Sequence, residues 1–415
     1  MNTLATVRPF RFNPFDRQFR ADPYRVYHLL RDTEPVHRSM GMWVLTRYAD
    51  VLQVLRDRTF LVGLTPRQIE RQAGRLGVVG HDPFLGLARQ SIVFTDNPYH
   101  THLRRLVGTA FAPQRLASFD PLIEQELAKL LDEIADKGEF DAISLFATQL
   151  PLRVLCRKLD VAPSMWATIA QWTKGLRFLL EPSLLKRSDF ADVQRILNDY
   201  EEYLRELIAK RRANPGDDMI SEWIAAGDAD GALADDELIH AFMLSFIAGH
   251  ETSKGLIGNG IAALIDHPEQ ADVLRANPEL ANGAVLETMR WNPPLQQTKR
   301  WASEPAVVGG ASMAPDDILL LCLGAANRDP GQFPDPDRFD IRRRNHTHLG
   351  FGFGMHICLG ARLAEREVAT AFRALFTSTW LLERGSGARV MDESEIQLRV
   401  YERLPISIKS RAVAS

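Results

Sequence analysis

FGFGMHICLGARLAEREV, running from Phe351 to Val368, is the stretch that decides how the rest of the chain reads. Glycines at 352, 354 and 360 surround Cys358, and glycine permits the tight turns that bring backbone around a side chain. The residues that follow favour a helix, so Cys358 stands just before a helix N-terminus. There, backbone N–H groups and the helix dipole favour a thiolate over a thiol. His356, two residues earlier, can add a donor. Such a setting suits a metal-ligating or nucleophilic cysteine. The competing use is a small apolar filler in a capping loop.

The chain around it has 415 residues, 25% charged and 45% hydrophobic, with 50 Lys+Arg against 53 Asp+Glu, a net charge of −3. That balance excludes a polycationic nucleic-acid binder and an acidic disordered chain. Three cysteines, Cys156, Cys322 and Cys358, cannot build a disulfide framework and fit a reducing compartment. MNTLATVRPFRFNPFDRQFR at the start does not read as a signal peptide. No window of about 18 apolar residues occurs to span a membrane. The expectation is a cytoplasmic globular protein with no membrane or nucleic-acid partner and enough chain for a large core. Cys156 and Cys322 fall in apolar helix and strand patterns and should pack as small hydrophobes.

Length alone suggests about two or three domains, but no Gly/Ser or Pro-rich linker divides the chain. We expect one domain over 1–415, mainly α with a minor β part, with 1–20 as a partly ordered N-terminal extension. Asp22-Pro23 opens a helix through Leu30. Val36 to Tyr48 reads as strand, Gly41 turn and strand, with a helix after it. Residues 60–95 read as a long Gly-rich loop. Pro121 to Arg212 is mostly helical by its three- and four-residue apolar spacing. Asp235 to Asp266 has acids in its first turn and stops before Pro268, which predicts a rod of about 48 Å. Its middle, AFMLSFIAG, is apolar on nearly all sides and should be buried. After Pro293-Pro294 come strand-like pieces, an irregular stretch up to Cys358, and a last helix over Leu359 to Phe376.

Phe351-x-x-Gly354-x-His356-x-Cys358-x-Gly360 resembles the haem-binding signature of the cytochrome P450 family. Other landmarks follow in family order. Ala248-Gly249-His250-Glu251-Thr252 resembles the oxygen-activating motif, and Glu287-Thr288-Met289-Arg290 the family's E-x-x-R. Pro336-Asp337-Arg338-Phe339 resembles P-x-R-F. Asp96-Asn97-Pro98-Tyr99-His100 with Leu103-Arg104-Arg105 resembles D-P-P-x-H-x-x-L-R-R, with Asn97 in place of the first Pro. The matches run from Asp96 to Gly360, and the length suits the soluble bacterial members.

The resemblance implies a single-domain fold with a long central helix over haem b, whose iron takes Cys358 as axial thiolate. A thiolate ligand favours O–O cleavage, where histidine suits reversible oxygen carriage. Phe351, Gly352, Gly354 and Gly360 would surround the sulfur, and Ala248 would lie against the haem. His100, Arg104, Arg300 and His356 are the implied propionate partners. Glu251 and Thr252 would deliver protons to bound oxygen; a carboxylate inside an apolar helix needs such work or a partner. His250 we expect to be structural or water-bonded. Glu287, Arg290 and Arg338 would form a buried ion network that serves folding.

Pocket walls by family layout would include Leu61, Phe84, Leu85, Phe178, Leu179, Phe242, Leu244 and Leu295, implying a mostly apolar small molecule of terpenoid, steroid, fatty or polyketide type. Gln296 and Gln297 could orient it by a hydrogen bond. Electrons derived from NAD(P)H would come from a separate ferredoxin and ferredoxin reductase, because the chain ends soon after Cys358 with no flavin or iron–sulfur extension. Arg104, Arg105, Arg342, Arg343, Arg344 and Arg362 would steer that acidic partner to a monomer. Two readings compete with an oxygen-activating monooxygenase: a peroxide-driven or non-redox haem-thiolate enzyme, and a non-catalytic haem sensor. The intact acid–Thr pair favours the first.

Overall fold

Apolar residues on every face make Asp235–Asp266 the one helix that must run through the interior. The computed structural model, which describes residues 12–229, 234–394 and 396–410, places a helix over that span. At its N-terminus the Ala234 backbone N–H donates to the Glu237 carboxylate at 3.0 Å. From Leu238 to Leu264 most of its side chains are buried. Helices Gln149–Lys158, Arg187–Ala213, Ala281–Trp291 and Ala361–Thr377 pack around it. Their approach is close: a Cβ at Gly260 would collide with the Phe372 ring.

A five-stranded sheet flanks the helices, in the order Val36–Ser39, Met42–Leu45, Ile318–Cys322, Gln297–Ala302, Phe60–Leu61. The first two strands form the expected hairpin, with Met40 (φ 53°) and Gly41 (φ 76°) in its turn. Gln297–Ala302 runs antiparallel to Ile318–Cys322, pairing Arg300 with Leu319. That register fixes the side on which Arg300 points. A three-stranded sheet of Glu139–Asp141, Pro405–Ser410 and Trp380–Arg384 lies at the other end of the chain; its C-terminal strands have no counterpart in our sequence reading.

Residues 60–95 are not a long loop. Helices Leu64–Leu76 and Asp82–Arg89 occupy most of the span. The first hides its periodicity because polar Thr65 and Gln72 share the buried stripe with Ile69 and Ala73. Gln72 is satisfied there by donating Nε2–H to the Leu185 carbonyl at 2.5 Å. At the N-terminus, residues 1–11 lie outside the described residues. Phe12 is buried against Phe19, and a short helix forms at Arg17–Ala21, so 12–20 packs onto the sheet side of the molecule and does not extend from it. Among the described residues no helix is long and apolar enough to cross a membrane.

Candidate active site

The turn before the last helix is built around Cys358. Gly352 (φ 72°) and Gly354 (φ 70°) adopt left-handed backbone that a side chain would strain. At Gly354 a Cβ would also lie 2.7 Å from the Leu55 carbonyl oxygen. The Cys358 N–H donates to the Phe351 carbonyl at 2.8 Å, closing the loop. The thiol sulfur then accepts from the backbone N–H groups of Gly360 and Ala361 at the start of helix Ala361–Thr377. Burial pushes the thiol up; the Gly360 amide and Arg104 pull it down, Glu365 raises it and the Ala361 amide lowers it. The residue is nonetheless exposed, which together with its enclosed surroundings places it on the wall of a cleft. Cys156 and Cys322 differ: both are buried, and burial alone holds their thiols far up.

Open surface also appears where the central helix should have none. Ala248 is exposed in the middle of the helix, with Gly249 and Thr252 half-buried beside it. The central helix and the cysteine helix pack against each other, so the open surfaces of Ala248 and Cys358 mark a cleft between them. Around the Cys358 turn gather four groups with hydrogen-bonding capacity left over. The His100 and His356 rings lie 4.1 Å apart, and neither nitrogen of His100 nor Nε2 of His356 has a partner. Arg104 donates Nη1–H to the Ile357 carbonyl at 2.9 Å. Arg300 is buried and donates to the Lys299 carbonyl at 2.8 Å. Among the described residues no carboxylate lies within 4.0 Å of its guanidinium, and burial lowers its pKa to about 10.

This excess of donors changes the state of His356. Burial first, then Arg300, His100 and Arg104, push it down to about 3, so it is a neutral imidazole. Four donors and one nearby carboxylate, Asp96 at 3.9 Å from His356 Nε2, make a site that an anionic group would satisfy.

Other expectations need correction. Glu287 is bound by Arg290 through Nε and Nη2, both at 2.8 Å, and by Arg343 Nε at 3.2 Å. Arg338 is not in this network: its side chain is exposed, 3.9 Å from Asp340, and only its carbonyl accepts from Arg290, at 3.0 Å. Buried in this way, Arg343 also leaves the proposed basic surface, where Arg342, Arg344, Arg105 and Arg362 remain exposed.

Several proposed pocket residues have no open surface to offer a ligand. Phe84 and Leu179 are 1% and 0% exposed, and Phe242 is 0% exposed with its ring 4.7 Å from Trp223. Leu85 and Leu244 are buried too, whereas Leu61, Phe178 and Leu295 stay half-buried. Gln296 donates to the Tyr24 hydroxyl at 3.2 Å and to the Pro293 carbonyl at 2.8 Å, and Gln297 donates to the Tyr27 hydroxyl at 3.0 Å. Both therefore tie down the N-terminal helix Tyr24–Thr33 and border a 260 Å³ cavity beside Arg17, Arg20 and Met391.

Glu251 pairs with Lys254. It lines a cavity of about 20 Å³ with Thr173, Lys174, Arg177, Leu180, Ile247, Asp392 and Leu398. Thr173 to Leu180 and Ile247 fall in segments expected to wall the pocket, Trp172 to Leu185 and Ala241 to Ala248; sequence reading missed Asp392 and Leu398, which reach the cavity from a segment far along the chain. Thr252 donates its hydroxyl to the Ala248 carbonyl at 2.6 Å, the local backbone bond that a mid-helix Thr commonly makes.

The model of the family described as Cytochrome P450 matches residues 81–383. The chain belongs to the cytochrome P450 family. It is 36% identical over 408 residues to Cytochrome P450 107B1 of Saccharopolyspora erythraea, covering 94% of this chain and 96% of that one. It is 34% identical over 403 residues to the 6-deoxyerythronolide B hydroxylase of the same organism, covering 94% and 97%. Among solved structures, CalO2 superposes with a TM-score of 0.89 at 30% identity, covering 96% of this chain and 99% of that one. The cytochrome P450 fold and a monooxygenase activity follow, with haem b, dioxygen and NAD(P)H-derived electrons as its cofactors. The residues present fit a haem: an amide-cradled thiol on the cleft wall, open surface at Ala248, and unfilled donors on His100 and His356.

Proposed function

We propose that this cytochrome P450 hydroxylates or epoxidises a mostly apolar small molecule, of terpenoid, steroid, fatty or polyketide type. Its electrons come from a separate ferredoxin and ferredoxin reductase, and it works as a cytoplasmic monomer and a single domain. The observation that carries the reading is the Cys358 sulfur under the Gly360 and Ala361 amides. In this reading Cys358 would hold the haem iron through its thiolate, and the two N–H groups would temper the electron density on the sulfur. His100, Arg104, Arg300 and His356 would hold the propionates. Bound haem supplies the oxygen-splitting chemistry.

The remaining work falls to this chain's own side chains. Thr252 turns its hydroxyl from the Ala248 carbonyl toward the cleft and presents a proton there. Glu251, between that cleft and the 20 Å³ cavity, passes protons inward from a water held in the cavity, which is large enough for one. Leu180, Ile247 and Leu398, which line the same cavity, exclude bulk water and offer an apolar wall to substrate. A polyketide biosynthesis cytochrome P450 of Bacillus subtilis, 30% identical over 407 residues, supports a polyketide-like substrate class.

The test is a compound screen read by the spin-state shift of the haem, followed by oxygen and NADPH consumption with a surrogate ferredoxin system. Stoichiometric consumption with oxygenated product is expected. Turnover with peroxide alone, or without any oxidant, would replace the monooxygenase reading.

A further inference from the structure

His250 is buried in the central helix, and its two ring nitrogens have unlike surroundings. Nε2 lies 3.1 Å from the Thr148 carbonyl oxygen. A carbonyl only accepts, so Nε2 carries the hydrogen and Nδ1 of the neutral ring is bare. That bare nitrogen is buried without a hydrogen-bond partner. The carboxylate facing it is Glu251, with Oε1 at 3.5 Å. Two lone pairs facing each other out of water repel; one proton between them converts the contact into a charge-assisted hydrogen bond.

We propose that His250 Nδ1 and Glu251 Oε1 share one proton, making His250 the positioning residue that keeps the acid of the acid–Thr pair loaded and aimed. The inference rests on the monooxygenase reading of that pair. A proton from solvent is relayed through a water in the 20 Å³ cavity, which takes one proton as it gives one up, and enters the carboxylate–imidazole pair, whose charge rises by one. Departure from the Glu251 oxygen toward Thr252 returns the pair to its starting charge, and no electrons move.

The charged groups facing His250 are Glu251 and Lys254 on its own helix. From Ile143–Ala147 and Gln149–Lys158 it meets the Thr148 carbonyl, with apolar Leu155 beside Gly249. Around Glu251 stand Lys254, and across the cavity Lys174, Arg177 and Asp392. Burial weakens the hold of His250 on a proton, Glu251 strengthens it and Lys254 opposes it. Of these groups only the Glu251 carboxylate, at 3.5 Å, favours a proton at Nδ1.

The experiment is ¹⁵N NMR of histidine-labelled holoenzyme in the diamagnetic reduced carbon-monoxide complex, comparing wild type with Glu251→Gln across pH. His250→Asn assigns the signal. We expect Nε2 protonated throughout and Nδ1 gaining its proton as pH falls, with a midpoint moved by about one pH unit or more in Glu251→Gln. An Nδ1–H tautomer with bare Nε2, or identical titrations in the two proteins, would overturn the proposal. If His250→Asn does not fold, the histidine signals as a set still decide, because none moved by Glu251→Gln has the same meaning. The carbon-monoxide spectrum of the same sample reports separately on the thiolate, and so on the reading beneath.

Discussion

Thr252 shows how one side chain can hold a choice between fold and chemistry. Its hydroxyl is spent on the Ala248 carbonyl at 2.6 Å, a bond that relaxes the helix at the point where Ala248 is open to the cleft. Thr252→Ala keeps the helix and removes a hydroxyl that could turn into the cleft. We predict normal reduction with electrons diverted to peroxide, measured as peroxide formed and product lost per NADPH consumed; unchanged coupling would contradict the role. The identity of this residue was readable in the sequence because Ala248 to Thr252 carries its own pattern. The partners of Glu251 were not. Lys254 is near in sequence, but Lys174 and Asp392 reach the same cavity from distant segments, and no spacing rule connects them.

Elements teach a similar lesson about register. The Asp235–Asp266 helix was legible end to end because its middle is apolar on nearly all sides and its boundaries are marked by acids and Pro268. The Leu64–Leu76 helix was hidden by Thr65 and Gln72 on its buried side. In the irregular stretch before Cys358, four arginines at 338, 342, 343 and 344 compete for Glu287, and a segment without periodicity gives no means of ranking them. Backbone geometry chooses: Asp335 takes a positive φ of 46°, Arg338 points out, and Arg343 comes in to bind Glu287 and the Pro334 carbonyl at 2.7 Å. Removing Arg343 leaves Glu287 buried beside a single partner, so Arg343→Ala should cost ~3–5 kcal/mol. Arg338→Ala should stay within ~0.5 kcal/mol. Urea unfolding of both variants measures the difference, and equal losses would contradict the assignment of Arg343.

At the scale of the whole molecule, stability should depend on pH through Glu367, a residue the sequence did not single out. It is buried on the cysteine helix, its Oε1 has no partner, and burial pushes its carboxyl up to about 8. The folded state therefore holds this proton more tightly than the unfolded chain, where a Glu titrates near ~4.3. Stability from that difference is complete below the unfolded value and is lost as pH rises toward about 8. Glu367→Gln should accordingly raise the melting temperature more at pH 8 than at pH 5, by a margin that grows with pH. Parallel melting curves at the two pH values would contradict the buried carboxyl as its source.

The same helix begins at the cysteine on which the entire reading depends. One loop, with glycines at 352 and 354 in left-handed backbone, presents the Cys358 sulfur to a cleft, with His100, Arg104, Arg300 and His356 gathered around the turn. The reduced carbon-monoxide difference spectrum of the holoenzyme tests that arrangement directly. The wild type should give the thiolate-ligated signature and Cys358→Ala should lose it; the signature persisting in Cys358→Ala, or absent from haem-loaded wild type, would contradict Cys358 as the ligand.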